Sequence, residues 1–157
     1  MKIVVLYGEN GTGKSTYLES LKDSGKIVIP RMEDNYLFNV GKKHLSFLKN
    51  ELTLEDRDLG FENFDSFMSE KAISLFLREV LEKENEAQTV YLETRTELPI
   101  QLLGRLIGEG LLSPKDVFCL YFEAWKEPIK RIFDKEGFII YEWIYRKFKK
   151  KRQRDTR

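Results

Sequence analysis

The sequence predicts an α/β fold in which helices cover both faces of a short, mostly parallel sheet, giving three layers. Two observations carry this prediction. Short runs rich in Val, Ile and Leu alternate with stretches whose apolar residues recur every three or four positions. A glycine-rich loop also follows the first of these runs directly. In such sheets ligands bind beyond the carboxyl ends of the strands, so the residues after each strand are the candidate functional residues.

Composition indicates a single globular domain. Of 157 residues, 41% are hydrophobic and 34% are charged, which is ordinary for a folded protein. No run approaches the roughly 18 apolar residues of a membrane-spanning helix, so we expect no membrane partner. The single cysteine, Cys119, permits no internal disulfide and suits a reducing, cytoplasmic setting. Together with the single histidine, His44, it supplies too few ligands for structural zinc.

The first third of the chain contains two predicted strands. These are the apolar runs Lys2–Tyr7 and Ile27–Ile29. A helix is predicted from Lys14 until Gly25 stops it, and another over Leu37–Leu52. The stretch Thr53–Gly60 is charged and is predicted to be a turn.

The middle of the chain contains the clearest predicted helix. Over residues 64–83 one apolar stripe recurs at steps of three and four, a pattern typical of a helix packed on a core. Buried strands are predicted at Thr89–Leu92 and Val117–Phe122, and a helix at Pro99–Gly110 between them. Strands and helices therefore alternate, as expected for parallel strands joined by helical crossovers.

The C-terminal part is predicted to be helical. A short helix is expected over Glu127–Phe133 and a final one over Ile139–Lys151. Residues 146–157 carry a local charge of +7, so residues 1–145 carry −6 although the whole chain carries +1. We interpret residues 1–145 as the domain and the basic tail as a solvated helix end. Contact between this tail and a polyanion is the alternative.

One motif is specific. Residues 8–16 match G-x-x-x-x-G-K-[ST], the phosphate loop of nucleotide-binding proteins, between a predicted strand and a predicted helix. Glycines let backbone N–H groups point at an anion, the lysine reaches the β- and γ-phosphates, and the serine hydroxyl suits Mg²⁺. The cofactor is therefore predicted to be ATP or GTP with Mg²⁺. The predicted binding residues are Gly8, Glu9, Asn10, Gly11, Thr12, Gly13, Lys14, Ser15 and Thr16.

Charged residues after the other strands are candidates for catalysis beside Lys14. Glu33 follows the second strand, although an acidic turn would explain it equally well. Glu93 and Arg95 follow the strand at Thr89–Leu92. The carboxylate could anchor magnesium with Ser15 or accept a proton, and the guanidinium could neutralise a transferring phosphoryl group. Arg131, on the predicted short helix, is a further candidate for that neutralising role.

Taken together, these positions resemble the P-loop kinases of nucleosides and nucleotides, the deoxynucleoside kinase and thymidylate kinase group. Glu33 is similar to the acidic residue that this group places near the substrate hydroxyl. Phe64–Phe67 resembles the helix that lines its acceptor pocket, and Glu93 with Arg95 roughly corresponds to its acidic-arginine pair. The resemblance implies Mg²⁺-dependent transfer of the ATP γ-phosphate to a nucleoside or nucleotide, with Arg131 among the residues that stabilise charge.

A second resemblance competes. The phosphate loop also looks like that of ABC-type ATPases, and Leu92–Glu97 is similar to their switch segment, with Arg95 where a histidine would stand. Leu54–Asp56 is a poor match for their acidic strand end. Spacing favours the kinase hypothesis over this one. A nucleotide-binding module without catalysis, with the basic tail touching nucleic acid, is the third hypothesis, and a homodimer is compatible with all three.

Overall fold

A computed structural model gives the structure of residues 1–29, 45, 48–50, 58–66, 68–82 and 88–140. The strands in these ranges are β1 (Lys2–Tyr7), β2 (Ile27–Val28), β3 (Asp58–Phe61), β4 (Thr89–Thr94), β5 (Val117–Tyr121), β6 (Ile129–Phe133) and β7 (Ile139–Ile140). The helices are α1 (Lys14–Asp23), α2 (Glu70–Leu81) and α3 (Leu98–Gly108). Residues 45 and 48–50 are also helical, and the rest of the predicted helix Leu37–Leu52 lies outside the described residues.

The strands form one seven-stranded sheet in the order β2-β3-β4-β1-β5-β6-β7. β2, β3, β4, β1 and β5 run parallel, whereas β6 and β7 are antiparallel additions at one edge. The strand that precedes the phosphate loop is therefore central, with β4 on one side and β5 on the other. Tyr7, its last residue, pairs with Thr94 of β4 and with Tyr121 of β5. The carboxyl ends of these three strands thus meet at one edge of the sheet.

Helices pack on both faces of the sheet because successive β1 side chains alternate between them. Ile3 and Val5 belong to a buried cluster that includes the apolar residues of α2 and α3. Val4 and Leu6 belong to a second cluster with Leu18 of α1. The predicted α/β class with a mostly parallel sheet is confirmed, and helices on both faces are compatible with three layers.

The helix predicted over 64–83 begins later than its apolar stripe suggests. Ser69 is its N-cap, because the Ser69 hydroxyl accepts a hydrogen bond from the Ala72 amide at 3.2 Å. Residues 62–66 form turns instead. Phe64 is nevertheless fully buried, packing at 5.5 Å between ring centroids on Phe76 of α2. Phe64 is a core residue that belongs to a turn, and its position happens to continue the helical spacing of apolar residues. The helix was therefore predicted to begin too early.

The prediction of a turn over Thr53–Gly60 was wrong for its last residues. Asp58–Phe61 is β3, and its Leu59, Gly60 and Phe61 are buried. Strand pairing on both sides stabilises this segment despite its Asp and Gly, which disfavour strands locally. Glycine is required there by close packing, since a Cβ on Gly60 would lie 2.9 Å from the Ile27 side chain.

The two C-terminal helix predictions were also wrong where the structure describes them. Ile129–Phe133 is β6, antiparallel to β5, and Ile139–Ile140 is β7 rather than the start of a helix. The turn between them is stabilised by the Asp134 carboxylate, which accepts hydrogen bonds from the amides of Glu136 and Phe138 at 3.0 and 2.9 Å. Tertiary pairing with β5 decides the conformation here. The basic tail, 146–157, lies outside the described residues.

Candidate functional site

Residues 8–16, the candidate phosphate loop, connect the end of β1 to the start of α1. Gly11 and Gly13 adopt φ of 73° and 99°, the left-handed region that glycine tolerates best. A Cβ on Gly8 would meet the Phe122 carbonyl oxygen at 2.5 Å, so the loop passes too close to the chain after β5 for a larger residue. Thr12 Oγ1 donates to the Glu9 carbonyl at 2.7 Å and braces the loop. The loop therefore has the backbone that its glycines predict.

Lys14 lies inside this loop rather than in solvent. Its side chain is buried, with 4% exposed, and Nζ donates hydrogen bonds to the carbonyls of Gly8 and Glu9, each at 2.6 Å. Burial lowers the pKa of the Lys14 ammonium, and the nearby Glu93 carboxylate opposes that shift. A cation is thus held by two backbone carbonyls at the start of the loop.

Ser15 and Glu93 are brought together although 78 positions separate them. Ser15 Oγ lies 3.1 and 3.2 Å from the two Glu93 carboxylate oxygens and donates to that carboxylate. The contact follows from the strand register, because Glu93 pairs with Leu6 next to the carboxyl end of β1. Glu93 is only 3% exposed, and burial raises the pKa of its carboxyl while the Ser15 hydrogen bond opposes the shift. A buried carboxylate and a hydroxyl therefore converge beside Lys14.

Arg95 completes the group on the exposed side. Its Nη1 donates to Asn10 Oδ1 of the phosphate loop at 3.3 Å. Lys14, Ser15, Glu93 and Arg95 thus meet at the carboxyl edge of β1 and β4, as expected from their positions in the sequence.

Other predicted site residues lie elsewhere. Arg131 is on β6, and its guanidinium lies 4.0 Å from the centre of the Tyr121 ring, two strands away from β1. It faces a separate cavity. Glu33 lies outside the described residues. The acceptor face expected around Phe64–Phe67 is filled within the described part, because Phe64 is core and the Asp65 carboxylate accepts hydrogen bonds from both Thr94 and Thr96 at 2.9 Å.

The cavity that Arg131 faces has a volume of about 490 Å³ and lies between α3 and strands β5, β6 and β7. Tyr7 and Glu97 wall one end of it, where the Tyr7 hydroxyl donates to Glu97 Oε1 at 3.2 Å. Since Tyr7 directly precedes Gly8, this end adjoins the phosphate loop. The sequence did not indicate this cavity, because β6 and β7, two of its three strands, were predicted as helices.

Sequence reasoning missed a second carboxylate at the phosphate edge. Glu62 directly follows β3 and is exposed, and its charge adds to the forces that raise the pKa of Glu93. The rule that functional residues follow strands would have identified it had β3 been recognised. Trp125, in the loop after β5, was also missed. It is fully exposed with a φ of 61°, at the same edge of the sheet.

Within the described ranges, no helix combines the length and hydropathy needed to cross a bilayer. In the same part of the chain, no three His, Cys, Asp or Glu side chains gather as a ready metal site. No protein-family model, curated protein or solved structure matches this chain.

Proposed function

We propose that the chain has a three-layer P-loop NTPase fold, binds ATP or GTP with Mg²⁺ through residues 8–16, and cleaves the γ-phosphate. The observation that carries the proposal is the hydrogen bond between Ser15 and the buried Glu93 carboxylate, beside Lys14. P-loop NTPases hold Mg²⁺ with the loop Ser or Thr and with an acidic residue at a strand end. Ser15 and Glu93 supply these two ligands, and the nucleotide phosphates supply others.

The phosphates would lie in the loop beside Lys14. Loop N–H groups and the N-terminus of α1 favour an anion there, and Lys14 adds a full charge. In this arrangement Lys14 Nζ exchanges the carbonyls of Gly8 and Glu9 for phosphate oxygens. Arg95, already touching Asn10, lies on the exposed side, where it would neutralise charge on the leaving or transferring group.

Water is the phosphate acceptor that we propose. Glu62 directly follows β3, whose Phe61 pairs with Leu92 of β4, so its exposed carboxylate lies at the same edge of the sheet as Glu93. An exposed carboxylate near a metal site can orient or deprotonate an attacking water. The acceptor face expected at Phe64 and Asp65 is occupied by core packing and hydrogen bonds. Hydrolysis agrees with the resemblance to ABC-type ATPases, with Glu93 rather than Leu54–Asp56 in the magnesium role.

The first test is calorimetry with MgATP and MgGTP, followed by phosphate release in the presence and absence of Mg²⁺. We expect saturable binding and Mg²⁺-dependent release without any added acceptor. If neither nucleotide produces a heat of binding on folded protein, the proposal is wrong. Tight binding with no release of phosphate would instead identify a nucleotide-binding module.

Replacing Glu62 by Gln tests the hydrolytic role directly. We expect kcat for phosphate release to fall by about 100-fold, the lower end of the usual effect of a general base, because Glu62 is exposed. Nucleotide affinity should change little, since the Ser15–Glu93 pair remains. The matched control is Glu109→Gln, another exposed glutamate, which pairs with Arg78 at 3.5 Å away from the loop. Equal kcat values for the two variants would exclude Glu62 from catalysis.

Transfer to a nucleoside or nucleotide hydroxyl is the second candidate reaction. The observation that favours it is the cavity beside Tyr7 and Glu97, which offers space for an acceptor next to the phosphate loop. We expect a kinase to consume ATP faster when its acceptor is added and to form a phosphorylated product that mass spectrometry detects. A panel of nucleosides and nucleoside monophosphates that leaves ATP consumption at the water rate would reject transfer and leave hydrolysis.

A further inference from the structure

The cavity between α3 and the β5–β7 strands has the properties of a ligand site of its own. We propose that it binds an uncharged, nucleoside-like molecule, a planar heterocycle carrying hydroxyl or amine groups. Binding there does not require a nucleotide in the phosphate loop. Only the ligand's role as phosphate acceptor rests on the second candidate reaction, phosphoryl transfer.

Size and lining support a small planar ligand. A volume of about 490 Å³ falls within the range of small-molecule sites, roughly 300–1,000 Å³. Tyr121, Phe133 and Phe138 contribute aromatic rings to the wall, and such rings pack well against a planar heterocycle. Cys119 adds a neutral surface, because burial raises the pKa of its thiol to about 12. Phe138 is 70% exposed, so one ring stands at the mouth with little packing of its own.

Polar groups at the Tyr7 end favour hydrogen-bond donors on the ligand. The Glu97 carboxylate, which accepts a hydrogen bond from Tyr7, has further lone pairs for a hydroxyl or an amine. Gln101, one helical turn later on α3, lines the same space and can both donate and accept. Polar groups set in a mostly apolar wall are the usual means by which a site orients its ligand.

Charge disfavours a nucleotide at the same place. Glu97 lies at the end nearest the phosphate loop, where the phosphate of a nucleoside monophosphate would have to lie to accept a second phosphate. The ligand phosphate and the Glu97 carboxylate would both be negative, and their repulsion would weaken binding. Lining residues of the cavity carry both signs, Arg105 and Arg131 against Glu97 and Glu136, so that no net charge attracts an anion. An uncharged nucleoside avoids the repulsion.

The experiment titrates adenosine, guanosine, cytidine and thymidine, and their 5′-monophosphates, into protein without nucleotide, followed by NMR. We expect at least one nucleoside to saturate and to bind more tightly than its monophosphate. Phe138→Ala should weaken that binding by roughly 2- to 10-fold, the usual effect of losing one aromatic contact. The matched control is Leu111→Ala, which removes an exposed apolar side chain outside the cavity and should leave the affinity unchanged.

A Lys14→Ala variant separates the two sites. Nucleoside binding should survive this substitution, whereas MgATP binding should fall. If Lys14→Ala removes nucleoside binding, the ligand lies in the phosphate loop and the cavity proposal is wrong. Absence of saturation by every nucleoside, or equal affinities in the Phe138 and Leu111 variants, would also overturn it. Nucleoside binding in a protein that binds no MgATP would uphold the cavity and reject the proposed function.

Discussion

Replacing Lys14 by Ala is expected to weaken MgATP binding by about 10-fold or more, the usual result of losing a partly desolvated charged contact. We further expect turnover to fall by roughly 10²–10³, because a charge aimed at the transferring phosphate acts chiefly in the transition state. Lys14 is buried in the loop and held by the carbonyls of Gly8 and Glu9, so the charge is already positioned. Calorimetry measures the first effect and phosphate release the second.

The matched control for this substitution is Lys22→Ala. Lys22 lies on the same helix and makes an exposed ion pair with Glu19 at 3.5 Å, so its loss should change neither measurement by more than about 2-fold. An affinity in Lys14→Ala equal to that of the control would show that the ammonium does not bind phosphate.

Replacing Glu93 by Gln is expected to reduce Mg²⁺-dependent turnover by roughly 10²–10³, because the amide keeps the shape of the site but removes the charge that binds the metal. Affinity for the nucleotide without Mg²⁺ should be nearly unchanged, since Lys14 and the loop amides remain. The measurement is phosphate release across a Mg²⁺ titration. Turnover in the variant that keeps the wild-type Mg²⁺ dependence would exclude Glu93 as a metal ligand.

The same substitution should stabilise the nucleotide-free protein at neutral pH. Burial raises the pKa of the Glu93 carboxyl above its unfolded value. The protonated Glu93 carboxyl therefore contributes its full stabilisation at pH values below the pKa of the unfolded state. That stabilisation is lost as the pH rises through the raised pKa of the folded state. Gln does not titrate, so the variant should have the higher Tm at neutral pH but a similar Tm in acid. At limiting MgATP, where the metal-free protein must first bind Mg²⁺, wild-type turnover should accordingly fall as pH drops through the raised pKa, at a higher pH than for an ordinary carboxylate. A lower Tm for the variant at neutral pH would show that the buried Glu93 carboxylate does not destabilise the nucleotide-free protein.

The local sequence pattern predicted a helix or strand correctly where the residues of that element determine its own conformation. β1 has the predicted bounds, Lys2–Tyr7, and α1 begins at Lys14 as predicted. β4 and β5 also lie where their apolar runs indicated. In each case the run is long, or flanked by glycine, so that backbone preference and burial agree. Asp58–Phe61 and Ile129–Phe133 were mispredicted because their local preferences are weak, and neighbouring strands decided their conformation.

The candidate site likewise has one part that the local sequence predicts and another part that depends on the tertiary structure. Residues 8–16 are contiguous, and their glycine conformations together with the helix start at Lys14 give this loop its local backbone shape. The sequence by itself therefore determined the motif, the α/β class and the edge of the sheet where function should lie.

Only the tertiary structure decided which distant side chains join that loop. Parallel pairing of β1 with β4 brings Glu93 to Ser15. The β5–β6–β7 antiparallel edge creates the cavity and places Arg131 there, away from Lys14 and Ser15. Strand order and register depend on which surfaces bury best together, a property of the whole fold that short-range periodicity does not encode.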